Sequence, residues 1–189
     1  MKKMMTLIAV ALISMGSFAQ TQWKVDPFHS SLNFNISHSG ISIVNGKFHE
    51  YTGTLTTNGE SMENANFDFT IKVNSIDTSV ENRDNHLRSE DFFEIEKYPN
   101  MTFKSTKILE TGKADHYLLY GNLTIKNVTK PVIFDVHFGG IAKSDQGAKL
   151  GMKATTSINR FDYNINYDPT AAGIGKEVNL VVHLQFAKQ

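Results

Sequence analysis

The chain has 189 residues, with 19 lysines and arginines balanced by 19 aspartates and glutamates, and it contains no cysteine. So neutral a balance excludes a nucleic-acid binder, which needs a basic surface to meet phosphates. The lack of cysteine excludes thiol catalysis, disulfide exchange and cysteine-based metal sites.

The N-terminus has the pattern of an export signal. Lys2 and Lys3 form a short basic region, Met4 to Met15 is mostly apolar, and "SFA" at 17–19 offers small residues at the −3 and −1 positions of a signal-peptidase site. This pattern predicts a cleaved Sec-type signal peptide over 1–19, too short to serve as a membrane span. Gln20 would then be the first mature residue, and residues 20–189 would form one domain in the periplasm or secreted, with no integral membrane segment. Losing Lys2 and Lys3 leaves 17 basic against 19 acidic residues. An exported chain with no disulfides has to be held together by its core.

Period-2 alternation dominates the chain beyond Gln20. "SLNFNISH" sets Leu32, Phe34 and Ile36 against Asn33, Asn35 and Ser37; "ANFDFTIKV" sets Phe67, Phe69 and Ile71 against Asp68, Thr70 and Lys72. "HYLLYGNLTI" and "VNLVVHLQF" repeat the pattern with Leu119 and Leu123, and with Leu180, Val182 and Leu184. Such one-sided strands belong to an antiparallel sheet. Eight runs are expected, near 28–38, 43–57, 64–76, 101–110, 116–125, 129–139, 148–158 and 176–187. Asn45-Gly46 and Asn58-Gly59 suggest tight turns or bulges, Lys126-Asn127 a hairpin, and Gly139-Gly140 with Asp145-Gln146-Gly147 a loop before "KLGMKATTSI". Eight antiparallel strands in about 170 residues predict an all-β closed barrel, with a two-sheet sandwich as the alternative from pattern alone.

One region breaks the period. From Thr78 to about Glu96 the alternation stops, and Thr78 with Glu81 makes a capping-box pattern. A short helix is expected between the third and fourth strands, ended before Pro99. Its charged block "RDNHLRSEDFFE" reads as a latch across the barrel, with Phe92-Phe93 plugging apolar surface and Arg83, Asp84, Arg88 and Asp91 pinning it.

Catalytic patterns are weak by comparison. Asp84 with Asp91, or Glu90 with Glu94, could be paired as an acid and a base, but the interleaved arginines favour salt bridges. The seven histidines form no HxH, HxxH or HExxH spacing. There is no GxSxG, and "AAGIGK" at 171–176 lacks the helix a phosphate loop needs, so it reads as a mobile loop into the last strand. Apolar volume is what remains. The chain has 13 phenylalanines, mostly alternating into strands, and an eight-stranded barrel is either filled by side chains or holds one small ligand.

Five ordered motifs now carry a resemblance: "WKVDPFHSSLNFNISH", "VNGKF", "SIDTSVENRDNHLRSEDFFEIEKYPNMTFKST", "LTIKNVTKPVIFDVHFGG" and "INRFDY". Together they resemble the YceI-like, polyisoprenoid-binding family over residues 22–188. The sequence departs from that pattern at Asn127, where glycine is usual, and at Tyr163-Asn164, where a phenylalanine-glycine pair is common.

The resemblance implies an extended, lipocalin-like barrel holding an isoprenoid or other long-chain amphiphile. It does not imply an enzyme, and no catalytic residue, metal or cofactor is expected. From alternation, the barrel lining is expected to include Phe34, Ile36, Phe67, Phe69, Ile71, Phe103, Leu119, Leu123, Leu180, Val182 and Leu184. Arg160, His29 and Arg83 are the expected head-group donors. Polyprenyl phosphates, isoprenoid quinones and fatty-acid derivatives remain open as ligands, and so does a homodimer. The competing readings are an isomerase or hydrolase acting on a bound lipid, and a stress-related structural module with a solid core.

Overall fold

The computed structural model describes residues 20–189, so the expected signal peptide lies outside the described residues. Eleven strands appear: β1 (Gln20–Val25), β2 (Ser31–His38), β3 (Ser42–Phe48), β4 (Tyr51–Asn58), β5 (Ser61–Lys72), β6 (Ile76–Asp77), β7 (Asn100–Glu110), β8 (His116–Ile125), β9 (Val128–Ser144), β10 (Gly147–Asn159) and β11 (Ile174–Lys188). Among the described residues one α-helix, α1 (Glu81–Arg88), lies between β6 and β7. All pairings are antiparallel, in the order β1-β4-β5-β7-β8-β9-β10-β11, and β1 pairs back with β11 to close an eight-stranded barrel.

Eight expected runs become eleven strands because the second and third bend and because β1 precedes all eight. A 3-10 turn at Pro27–His29 separates β1 from β2, capped by Asp26, whose side chain accepts from the Phe28 amide. Proline fixes φ and removes a ladder donor, so the strand must break there. The second bends at His49-Glu50 and the third at the 3-10 turn Val73–Ser75. These bends are stitched together: the His49 amide donates to Ser75 O, the Glu50 amide to Ser75 Oγ, and the Lys72 amide to Glu50 O. Past the bends, β2, β3 and β6 continue the wall beyond the closed ring, with β2 paired to β11 and β6 to β3. The barrel is therefore lengthened at one end.

That asymmetry decides where the core is solid. At the far end Trp23, Leu55, Met62, Leu150, Phe67 and Phe186 are buried together, and Trp23 Nε1 donates to Thr57 Oγ1 at 2.9 Å. At the lengthened end, α1 and the segment after it lie across the opening.

Several local expectations change. Asn45-Gly46 makes no turn. Gly46 lies within β3 opposite Phe34, and a Cβ there would overlap the Phe34 ring. Gly139-Gly140 makes a bulge inside β9, with Gly140 at φ 102° and a register shift against β10, and only the Asp145-Gln146-Gly147 part of the expected loop turns the chain. The β8–β9 hairpin forms as expected, but its left-handed residue is Lys126 and not Asn127. At Asn164, φ 58° and ψ 30° supply the left-handed conformation that glycine usually gives, because a short polar side chain tolerates it.

The capping box does not form. Helix α1 is preceded by Val80, which gives no side-chain cap, and Ser79 is left-handed. Asp84 instead reaches back, and its Oδ1 accepts from both the amide and the hydroxyl of Thr78.

Candidate functional site

Inside the barrel is a cavity of about 900 Å³. That volume removes the solid-core alternative and lies within the range of ligand pockets. Its wall is built by alternation. Strand β11 turns Val178, Leu180, Val182 and Leu184 inward, β5 turns Phe67, Phe69 and Ile71, and β10 turns Met152, Ala154 and Ile158. The outward partners on those strands are mostly polar, so strand formation and an apolar interior come from one pattern. All eleven residues expected to line the barrel border this cavity.

The mouth combines three segments: the β2–β3 hairpin, residues 78–93 around α1, and the loop 164–173. Helix α1 is held by hydrogen bonds rather than ion pairs to its arginines. Arg88 donates from Nε to Asn74 O, from Nη2 to Ile76 O and from Nη1 to Asn85 Oδ1. Beyond the helix, Phe92 is buried against the cavity. Its ring lies 4.9 Å from Tyr167 and 5.0 Å from His86, and the His86 and Tyr167 rings are 4.9 Å apart. His86 Nε2 also sits 2.8 Å from Asp91 Oδ2. This aromatic triangle ties the α1 segment to loop 164–173 across the opening. The paired-carboxylate idea fails on contacts: Asp84 serves Thr78, Asp91 faces His86, and Glu94 lies 3.5 Å from both Lys97 and Lys126.

Arg160 is the most constrained polar residue at the mouth. It is 3% exposed, and its guanidinium donates to five backbone carbonyls. Nε reaches Gly175 O, Nη1 reaches Ile165 O and Tyr167 O, and Nη2 reaches Asp168 O and Ile174 O, all within 2.6–3.1 Å. A guanidinium has five N–H groups, so none is left for a ligand. Burial lowers its pKa, partly offset by the Asp168 carboxylate.

Asp168 completes the anchor. Its Oδ2 accepts from the Gly173 and Ile174 amides and its Oδ1 from Thr170 Oγ1, and these bonds hold its carboxyl below the usual range, led by the Ile174 amide and Thr170. Loop 164–173 is thus pinned at both ends rather than the mobile loop expected from "AAGIGK".

The other two expected donors separate. His29 lies outside the cavity wall, with Nδ1 2.8 Å from Asp26 Oδ2, so its work is to brace the β1–β2 turn. Arg83 borders the cavity and donates from Nε to Thr78 Oγ1 and from Nη2 to Thr78 O, both at 2.7 Å. Among the described residues its Nη1 finds no hydrogen-bond acceptor and its guanidinium no carboxylate partner.

Sequence reasoning missed Tyr163, which is buried and borders the cavity, and whose phenol is pushed up to about 12 by burial. It sits in a 3-10 turn rather than a strand, so alternation carries no signal for it. His86, Tyr167 and Asp168 were missed for the same reason. Among the described residues no cluster of three or more His, Asp or Glu side chains could hold a metal ion, and no helix is long and apolar enough to cross a membrane.

Comparison with known proteins decides the family. The model of the YceI-like domain matches residues 23–186. The chain belongs to the YceI-like family. It is 34% identical over 185 residues to Protein YceI of Salmonella arizonae, covering 96% of this chain and 95% of that protein. The crystal structure of the Campylobacter jejuni YCEI protein superposes with a TM-score of 0.73 at 33% identity, over 82% of this chain and 90% of that one. Two more distant structures share the fold. Burkholderia cenocepacia BcnA has a TM-score of 0.75 at 21% identity, over 85% of this chain and 98% of BcnA. A polyisoprenoid-binding domain from Saccharophagus degradans, implicated in plant cell wall breakdown, has a TM-score of 0.69 at 17% identity, over 88% and 98%. In this YceI-like chain the cavity thus sits in a barrel shared with a domain described as polyisoprenoid-binding.

Proposed function

We propose that the chain is an exported lipid-binding protein that holds one long amphiphile in its barrel. A polyisoprenoid, an isoprenoid quinone or a similar lipid fits. The observation that carries this is the apolar cavity of about 900 Å³ in a YceI-like barrel. A hydrocarbon chain drawn into it gains roughly 0.8 kcal/mol per CH₂ removed from water, with no help from a polar group. The tail lies among Phe67, Phe69, Phe103, Leu119, Leu123 and Leu184, and the head group meets Arg83 at the mouth.

The reading is of a carrier rather than an enzyme, because Arg160, Asp168 and His86 at the mouth already have structural partners. Arg160 and Asp168 hold the backbone of loop 164–173, and His86 faces Asp91. The N-terminal pattern of Lys2, Lys3 and "SFA" supports export. Organic extraction of the purified protein, followed by mass spectrometry, should yield about one equivalent of a long-chain lipid. A protein that extracts empty and takes up no isoprenoid lipid in vitro defeats the proposal. N-terminal sequencing of the protein from a periplasmic fraction should begin at Gln20.

A further inference from the structure

Exposed apolar side chains gather around the cavity mouth. Ile41 is 90% exposed, Ile43 56%, Val80 47% and Tyr167 42%. These are four of the seven large hydrophobic residues that the described chain leaves exposed. All lie on the three segments that frame the opening. Ser39 and Gly40, both left-handed, turn the β2–β3 hairpin and leave Ile41 at its tip. The neighbours His38 and Val44 face the cavity, and Val80 and Tyr167 border it themselves. The exposed rim is therefore continuous with the apolar interior.

We propose that this rim is a membrane-docking surface: Ile41, Ile43, Val80 and Tyr167 seat in the interfacial layer of a lipid bilayer, so that the cavity opens onto lipid. The inference rests on the lipid-binding reading and adds the surface from which the lipid is drawn. A second copy of the chain fits the rim poorly. Four partly exposed side chains on three separate segments fall well short of the roughly 800 Å² per partner that a stable dimer buries. A bilayer interface needs no matching shape, and it accepts aliphatic side chains at depth with a tyrosine at the headgroup level. Charge does not drive the contact, because the rim segment that carries Arg83 also carries the exposed Glu81 and Glu90. Docking should consequently be insensitive to salt.

The test is flotation of the full mature protein with vesicles of phosphatidylethanolamine and phosphatidylglycerol, at low and high salt. Wild type should float with the vesicles equally at both salt concentrations. The double variant Ile41→Ser/Ile43→Ser should partition more weakly by on the order of ten-fold or more, since each isoleucine gives up its burial. Ile133→Ser, on the barrel side wall and 47% exposed, should float like wild type. Docking is overturned if wild type stays with the aqueous fraction, if high salt releases it, or if the double variant floats undiminished. It is also overturned if sedimentation shows a dimer that the double variant dissolves while vesicles recruit nothing. Uptake of isoprenoid lipid from detergent keeps the two readings apart. A protein that loads from detergent but ignores vesicles loses only the docking surface, whereas one that floats but never loads loses the carrier reading.

Discussion

Arg160 and Arg83 are both arginines at the mouth, and their surroundings give them opposite roles. Arg160 is a fork closed on five carbonyls, so Arg160→Lys leaves at least two of them without a donor. A hydrogen bond to a charged group contributes about 1.5–3 kcal/mol, so the substitution should cost on the order of 3 kcal/mol. Urea denaturation should show the lowered midpoint, while folded protein still extracts with lipid. Arg83 makes two bonds to Thr78, and neither uses Nη1. Arg83→Gln gives up its two guanidinium bonds to Thr78 and should lower stability in urea by about 1.5–3 kcal/mol. It should in addition weaken retention of a lipid with an anionic or strongly accepting head group while leaving retention of a neutral one unchanged. Equal retention by both proteins in a competitive lipid-exchange assay would remove Arg83 from the site. The sequence shows two arginines of equal standing; only the count of satisfied N–H groups separates them.

Among the elements, α1 and its trailing segment act as the latch foreseen from the charged block, though partly by different contacts. Ion pairs and hydrogen bonds from Arg83, Asp84, Arg88 and Asp91 are the expected pins. The hydrogen bonds form, to Thr78 and to the carbonyls of Asn74 and Ile76, while among the described residues the arginines make no ion pair. The aromatic triangle of His86, Phe92 and Tyr167 adds to them. Phe92→Ala should remove one side of that triangle and enlarge the cavity at its mouth. Truncating a buried phenylalanine costs about 3–5 kcal/mol in a solid core. Phe92 borders a void, so we expect the lower end, together with lipid release several-fold faster in a stopped-flow displacement experiment. The barrel elements themselves were legible in the sequence. Alternation is a local property, set by side chains pointing to opposite faces of one strand. Its eight runs contain ten of the eleven strands and the eleven residues that border the cavity, but miss β1 (Gln20–Val25), which closes the ring. The bends at His49-Glu50 and Val73–Ser75 were not legible, because they depend on bonds between distant runs such as His49 N to Ser75 O, whereas the break at Pro27–His29 has a local cause in the proline.

For the molecule as a whole, acid should weaken the fold. Asp26, Asp77 and Asp168 all have folded pKa values held below the normal aspartate value of 3.8: Asp26 mainly by His29, Asp77 mainly by His49, and Asp168 mainly by the Ile174 amide. A depressed carboxylate stabilises the folded state above its unfolded pKa, and that contribution is lost as pH falls through the lower folded value. Urea midpoints should thus stay level down to about pH 4 and drop below it. Asp168→Asn should flatten part of that drop. If the variant's acid profile retraces that of wild type, the carboxylate is not what pins loop 164–173. The three aspartates brace the β1–β2 turn, the β3–β6 edge and the mouth loop, so acid should loosen the cavity end together with the barrel seam.

The sequence alone determined the strand runs, the barrel class, the faces that turn inward and the family. All of these rest on short-range periodicity and ordered motifs. Tertiary structure decided which end of the barrel is solid, that about 900 Å³ of the interior stays open, and which polar residues at the mouth are already engaged. Those outcomes rest on hydrogen bonds and ring contacts between segments far apart in the chain. No local pattern encodes whether Arg160 meets five carbonyls or none, or whether Gly46 turns the chain or makes room for Phe34.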